Sequence, residues 1–290
     1  MRRLNLRHIL CPIDFSSLAP GALAVASAMA RARKSELRAL HVSPSDGAAV
    51  PRELGSTERQ ALMSRLRTSL AEAAPSYDLI GGAVRQGDPG TQILHFARTM
   101  RADVIVMGAP GADRPERPMG PVASVVIARA DCPVLAVPAR RAAWSNASGL
   151  FGRIVCAVDL APSSLSVIRQ ALSLAWETSG HLTYVCVLPE GDSNRSAAAR
   201  DRLLDAIPAE VGNWCEIDVT ILRGPPAAEI ARIAWAQEAD LVVIGAPRRW
   251  TSTTHAVLGR SLCPVLVTHD ARPLPRPASS RRDETMHAAV

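Results

Sequence analysis

Lysine is nearly missing from this 290-residue chain, with Lys34 its only instance. No glycine-rich loop ending in Gly-Lys-Ser/Thr is present, which excludes the P-loop way of holding a triphosphate. Aromatic residues make up only 3%, and no arginine cluster has aromatics interleaved, so nucleic acid is not an expected partner. No apolar run approaches the roughly 18 residues that span a bilayer. Met1-Arg-Arg-Leu-Asn5 leads into an alternating strand rather than a signal-peptide core. The expectation is a soluble, unexported, cytoplasmic protein with no membrane contacts. Cys11, Cys132, Cys156, Cys186, Cys215 and Cys263 are widely spaced, with no CxxC pair and no ligand spacing to histidine. They read as small buried hydrophobes in a reducing compartment, and no structural metal is expected. A GxSxG nucleophile elbow is absent, as are the HxGH and SGGxDS signatures of adenylate transfer. His41 reads as a packed or half-exposed strand residue, and His95 and His255 lie on helices without recognisable partners. An enzyme with a dedicated base and nucleophile is therefore not expected, beyond weak ATP hydrolysis.

Hydrophobic residues at 48% exclude a disordered chain, and the length suits two domains of ordinary size. The net charge of +6 is uneven: residues 1–140 carry 18 basic and 12 acidic side chains, residues 141–270 carry 11 and 13, and residues 271–290 carry 4 and 2. A basic first half favours an anionic ligand, although solvated surface arginines account for the same composition.

Internal repetition is the strongest signal. His8-Ile-Leu-Cys-Pro-Ile-Asp14 aligns with Arg153-Ile-Val-Cys-Ala-Val-Asp159 at an offset of 145, as does Leu40-His41-Val42 with Val185-Cys186-Val187. Val84-Arg-Gln-Gly87-Asp-Pro89 aligns with Ile221-Leu-Arg-Gly224-Pro-Pro226 at 137, and so does Ala102-Asp-Val-Ile-Val-Met-Gly108-Ala-Pro110 with Ala239-Asp-Leu-Val-Val-Ile-Gly245-Ala-Pro247. Cys132-Pro-Val-Leu-Ala-Val137 meets Cys263-Pro-Val-Leu-Val-Thr268 at 131, so the second copy has two shortened loops.

Within each copy, β-branched runs alternate with segments of helical period, the pattern of a parallel sheet covered by helices. Strands are expected near Ile9–Ile13, Leu37–Val42, Ile80–Val84, Val104–Met107 and Val134–Val137. Leu18, Ala22, Val25 and Met29 form one helical stripe; Ile93, Phe96, Ala97 and Met100 form another, repeated as Ile230, Ile233, Ala234 and Gln237. Gly87 ends a strand, Asp88 caps and Pro89 opens a helix, with Pro226 repeating the device. The expected fold is α/β: two tandem doubly wound parallel five-stranded sheets of order 3-2-1-4-5, helices on both faces, packed as an internal pseudo-dimer through Val134–Val137 and Val265–Val267. The domains are expected at 1–138 and 153–270, joined by a linker at 139–152 and followed by a disordered tail at 271–290.

A doubly wound sheet binds ligands beyond the carboxyl ends of its strands, where the strand order reverses. Asp14 and Gly108 end the two strands that flank this point, and Gly108-Ala-Pro-Gly111 through Met-Gly120-Pro121-Val122 forms a glycine-bearing loop leading into a helix. Glycine amides and a helix start suit phosphate oxygens. Cys11-Pro-Ile-Asp14-Phe-Ser, Leu40-His41-Val42, Gly87-Asp-Pro89, Ala102-Asp-Val-Ile-Val-Met-Gly108 and Arg129-Ala-Asp-Cys-Pro-Val-Leu resemble the universal stress protein family, twice over nearly the whole chain. The resemblance implies a stress-response ATP-binding protein, with Pro12, Ile13, Asp14, Val42, Met107, Gly108, Gly111, Gly120, Pro121 and Val122 as the nucleotide-contacting positions and Mg2+ accompanying the phosphates. It also implies that the domains pair within the chain, a homodimer of the fused chain being open.

The match departs from the family pattern Gly-x2-Gly-x9-Gly-Ser/Thr, because only eight residues separate Gly111 from Gly120 and Pro121 replaces the hydroxyl. Proline supplies neither an NH nor an OH. Each lost hydrogen bond to a charged group costs on the order of 1.5–3 kcal/mol, so binding is weakened rather than removed unless Arg114, Arg117 or Ser124 compensates. The second copy, Gly245-Ala-Pro-Arg248-Arg-Trp250, lacks the later glycines, and its Asp159 reads as a helix cap. The competing reading is a nucleotide-independent scaffold with both crevices vestigial.

Overall fold

The computed structural model describes residues 6–45, 54–73, 80–109, 119–138, 150–161, 164–191, 195–208, 215–245 and 252–269. The tail at 271–290, most of the linker, Gly111, Arg114, Arg117 and the Arg248–Trp250 segment lie outside these residues.

Each apolar run of the first copy becomes a strand: β1 (His8–Pro12), β2 (Glu36–Ser43), β3 (Ile80–Gln86), β4 (Val104–Ala109) and β5 (Val134–Pro138). Between them lie α1 (Ala19–Arg33), α2 (Ser56–Ala73), α3 (Pro89–Thr99) and α4 (Pro121–Arg129). The second copy repeats the order with β6 (Arg153–Ala157), α5 (Ser164–Thr178), β7 (His181–Leu188), α6 (Arg195–Asp205), β8 (Glu216–Arg223), α7 (Pro226–Ala236), β9 (Leu241–Gly245), α8 (Ser252–Arg260) and β10 (Val265–Thr268). A helix rather than a loop takes the first deletion, since α2 has 18 residues and α6 has 11.

The duplication is also visible in the backbone. Phe15 and Leu160 both adopt positive φ (59° and 62°), as do Lys34 and Ser179, Arg101 and Glu238, and Gly87 and Gly224, each pair at its repeat offset. Left-handed backbone is costly for non-glycine residues, so its recurrence at equivalent sites marks a shared chain path. Asp103 Oδ2 accepts the Arg7 and His8 amides at 2.6 and 2.9 Å, and Asp240 Oδ2 accepts those of Gly152 and Arg153. The aspartate of each Ala-Asp motif therefore fastens the start of one strand to the approach to another. Asp88 caps α3 as expected, accepting Thr91 N at 2.8 Å and Thr91 Oγ1 at 2.6 Å, which holds its carboxyl below the usual carboxylate range. In α7 the cap position is Pro225, with no side-chain acceptor, so the proline start survived without the aspartate.

The two expected five-stranded sheets are joined through their last strands into a single ten-stranded sheet, in the order β3-β2-β1-β4-β5-β10-β9-β6-β7-β8. The 3-2-1-4-5 order holds within each half, and the halves join where β5 and β10 pair antiparallel, with Ala136 opposite Val265 and Leu135 opposite Leu266. The reason is the edge: β5 and β10 are buried at every position, and an apolar edge strand with open amides needs a partner. Alternation then divides the side chains between two layers. One cluster gathers Ile9, Cys11, Leu135, Leu266, Val25 and Ile168; the other gathers Leu10, Ile105, Ala136, Val265, Ile93 and Ile230. Both clusters contain residues of both copies, so each core layer runs across the junction.

Two polar contacts cross the same junction. Arg33 at the end of α1 pairs with the buried carboxylate of Glu177 on α5. His269, just past β10, donates from Nε2 to the Ile127 carbonyl of α4 at 2.6 Å. Its Nδ1 is buried without a partner among the described residues. Burial pushes the His269 pKa below 6.5, opposed by the Ile127 carbonyl and the charge of Asp131. The unfolded chain therefore takes up this proton at a higher pH than the folded one, and stability is full above about 6.5 and falls as the pH drops toward the lower folded value. Denaturant unfolding at pH 7.5 and 5.5 is expected to show a larger loss for the wild-type chain than for His269→Gln, whose amide keeps the donor and cannot charge.

Candidate functional site

The strand order reverses between β1 and β4, which run parallel with Ile9 opposite Val104 and Leu10 opposite Ile105. Their carboxyl ends therefore lie side by side at the position where doubly wound sheets bind ligands. Asp14, exposed just beyond β1, accepts the Ser16 amide at 2.9 Å, forming a tight turn in which Phe15 takes its positive φ. Ser16 Oγ accepts the Leu18 amide at 3.3 Å, and Leu18 caps α1. A Cβ on Gly108 would stand 2.7 Å from Leu18 Cβ and 3.2 Å from its carbonyl oxygen. The structure thus brings the Asp14 turn and the end of β4 into contact, and Gly108 is glycine because the start of α1 fills its side-chain space. Gly245 repeats this against Val167 at 2.9 Å.

Gly120 is different. It precedes α4 with φ −59°, which any residue adopts, and a Cβ there meets nothing within 4 Å among the described residues. Among the described residues no side chain caps α4, so the first-turn amides of Val122 and Ala123 have no capping acceptor there and carry the positive end of the helix dipole. Pro121 occupies the first helical position, which suits the helix but removes one amide from that set.

The remaining expected positions form walls. Ile13, Val42 and Met107 are buried, while Pro12 and Val122 are half-buried. Both backbone groups of Ile13 are used internally: its amide donates to Leu40 O at 2.8 Å, and its carbonyl accepts from His41 Nδ1 at 2.8 Å. The His41 imidazole also lies 4.5 Å from the Phe15 ring, over which the Arg65 guanidinium sits at 4.1 Å. His41 is therefore a buried brace for the Asp14 turn. Phe15, Leu18 and Arg65 were not legible as site residues, because a positive φ on phenylalanine carries no compositional mark.

The second copy spends its aspartate. Asp159 Oδ1 accepts the Ala161 amide at 3.1 Å and also the Ser164 hydroxyl at the start of α5. Asp14 has one hydrogen bond among the described residues, to the amide of its own turn, and none to the start of α1. The cysteines are free, and burial pushes the Cys11 and Cys132 thiols up to about 12, so they are inert packing groups. Among the described residues no cluster of His, Cys, Asp or Glu fits a metal ion, and no helix is long and apolar enough to cross a membrane.

The fold and the switch-point geometry define a tandem doubly wound α/β protein of Rossmann-like topology. The sequence model of the universal stress protein family matches residues 5–138 and again 150–269. The chain belongs to the universal stress protein family, in tandem form. A universal stress protein from Archaeoglobus fulgidus shares the fold at 18% identity and a TM-score of 0.69, covering 92% of this chain and 98% of that one. A protein of unknown function from Pseudomonas aeruginosa does so at 22% identity and 0.64, covering 92% and 94%. A universal stress protein from Archaeoglobus fulgidus solved in complex with dAMP matches 41% of this chain and 98% of its own length, at 23% identity and a TM-score of 0.36. No protein of curated function matches the sequence.

Proposed function

We propose that this chain is an adenine-nucleotide-binding regulatory protein of the stress response, which holds ATP in its first copy only. One observation carries the reading: of the two equivalent and equally exposed switch-point aspartates, Asp14 accepts only the amide of its own turn, whereas Asp159 also holds the Ser164 hydroxyl at the start of α5. The start of α4, uncapped by any side chain among the described residues, would supply the complementary half of the site. In this reading Asp14 meets the adenosine, Pro12, Ile13, Val42 and Met107 wall it, and Gly111, Gly120 and the Val122 amide hold the phosphates, with Pro121 weakening the grip. Mg2+ would arrive with the phosphates and neutralise part of their charge.

The units are residues 1–138 and 153–270, joined by 139–152 and followed by a tail at 271–290. Fusion keeps the second unit at high effective concentration, so its site is free to degenerate while the shared strands are retained. His41 serves as a brace, which fits a sensor rather than a hydrolase. Mass spectrometry of ligand released from the denatured protein, with calorimetry on the emptied chain, tests the reading. The expected result is adenine nucleotide at no more than one per chain; a chain that arrives empty and ignores added ATP would establish the scaffold reading instead.

A further inference from the structure

The second copy carries a surface that the first copy lacks. Trp235 at the end of α7 is 72% exposed and Leu262 beyond α8 is 48% exposed, although buried partners are the usual lot of such side chains. Together they flank a groove of about 280 Å3 floored by Ala231, Ala234 and Ala239. At the repeat offsets, Trp235 corresponds to Arg98 and Leu262 to Asp131. In the first copy these two form an ordinary surface ion pair, with Arg98 Nε 2.7 Å from Asp131 Oδ2. An ion pair on one copy has thus become an indole and an isobutyl group on the other, at the same place on the same fold. Exposed tryptophan beside a small-residue slot is the composition of an interface centre, not of a solvated surface.

We propose that this groove is where two copies of the chain associate, each Trp235 entering the alanine-floored slot of the other around a twofold axis. The flanking charges identify a second copy as the occupant. Glu238 and Arg260 line the same groove, both exposed, so a twofold contact sets each copy's carboxylate against the other's guanidinium. Glu238 already binds Arg153 at 3.0 Å, whereas Arg260 has no partner among the described residues and gains one only across the axis. The area sets the strength. Two buried tryptophans contribute about 300–500 Å2, a fraction of the roughly 1,200–2,000 Å2 of a stable interface. The association is therefore a weak one, with a dissociation constant on the order of 1–100 μM. It lies between α7 and α8, at the amino ends of β9 and β10.

Sedimentation velocity of the full chain across this concentration range is the test, alongside Trp235→Arg with Leu262→Asp, which rebuilds the ion pair of the first copy. The wild-type chain is expected to pass from monomer to dimer with rising concentration. The double variant is expected to dimerise at least about 30-fold more weakly with an unchanged melting temperature, as removal of an interface anchor does. Arg260→Glu is expected to weaken the dimer, and Arg260→Glu combined with Glu238→Arg to restore it. A wild-type chain that stays monomeric up to several hundred micromolar overturns the proposal, and so does a dimer that survives the double substitution.

Discussion

Leu135→Ala is expected to lower the stability of the chain by about 2–5 kcal/mol, measured as a shift in the denaturant midpoint. Leu135 is 1% exposed and sits on β5 opposite Leu266 of β10, where the two halves meet. The cost belongs in the upper part of the range for a physical reason. Leu135 and Leu266 already line a small apolar void of about 10 Å3 together with Met29, Leu174 and Leu241. Removing three more carbons enlarges a space that helices of both copies hold open, so the site cannot collapse to refill it. The same residue tests the junction itself. With a continuous core layer, both halves should unfold in one transition that moves as a whole. A loss below about 1 kcal/mol would mean that β5 and β10 are not packed together in solution.

Gly120→Leu is expected to weaken nucleotide binding at least tenfold while leaving the melting temperature unchanged. The contrast with Gly108 gives this its force. A side chain at Gly108 collides with Leu18 and damages the fold, so lost binding there would say nothing about a ligand. At Gly120 the backbone is ordinary and no described residue occupies the side-chain space, so leucine is expected to be tolerated and to project toward the region before α4 that phosphate would occupy. Tenfold corresponds to about 1.4 kcal/mol, less than the loss of one hydrogen bond to a charged group at its upper value. Equal affinity in calorimetry would remove α4 from the site and leave the walls around Asp14 without a phosphate end.

The architecture was readable because duplication printed it twice. The offsets of 145, 137 and 131 located every strand to within two residues, since apolar β-branched runs bounded by Gly, Asp and Pro have few other solutions. The merging of the sheets was not readable as such: Val134–Val137 and Val265–Val267 were recognisable as meeting strands, but apolar composition does not state the direction of pairing. The deletion in α6 read as a loop because that segment is polar and its helical period is faint. At the site, Asp14 and the glycines stood out by residue type. Their division of labour did not, because Gly108 and Gly120 look alike on paper and differ only in what surrounds them. Likewise Asp14 and Asp159 occupy equivalent positions, and a serine five residues downstream separates their roles.

The antiparallel meeting of β5 and β10 has a geometric corollary for the molecule as a receptor. Every strand of the first copy points one way and every strand of the second points the other, so the two switch points open on opposite rims of the same sheet. A molecule seated at one rim never touches the other. The strands, with the helix contacts that cross their junction, are what link one rim to the remote one, which makes the molecule a plate read from both ends.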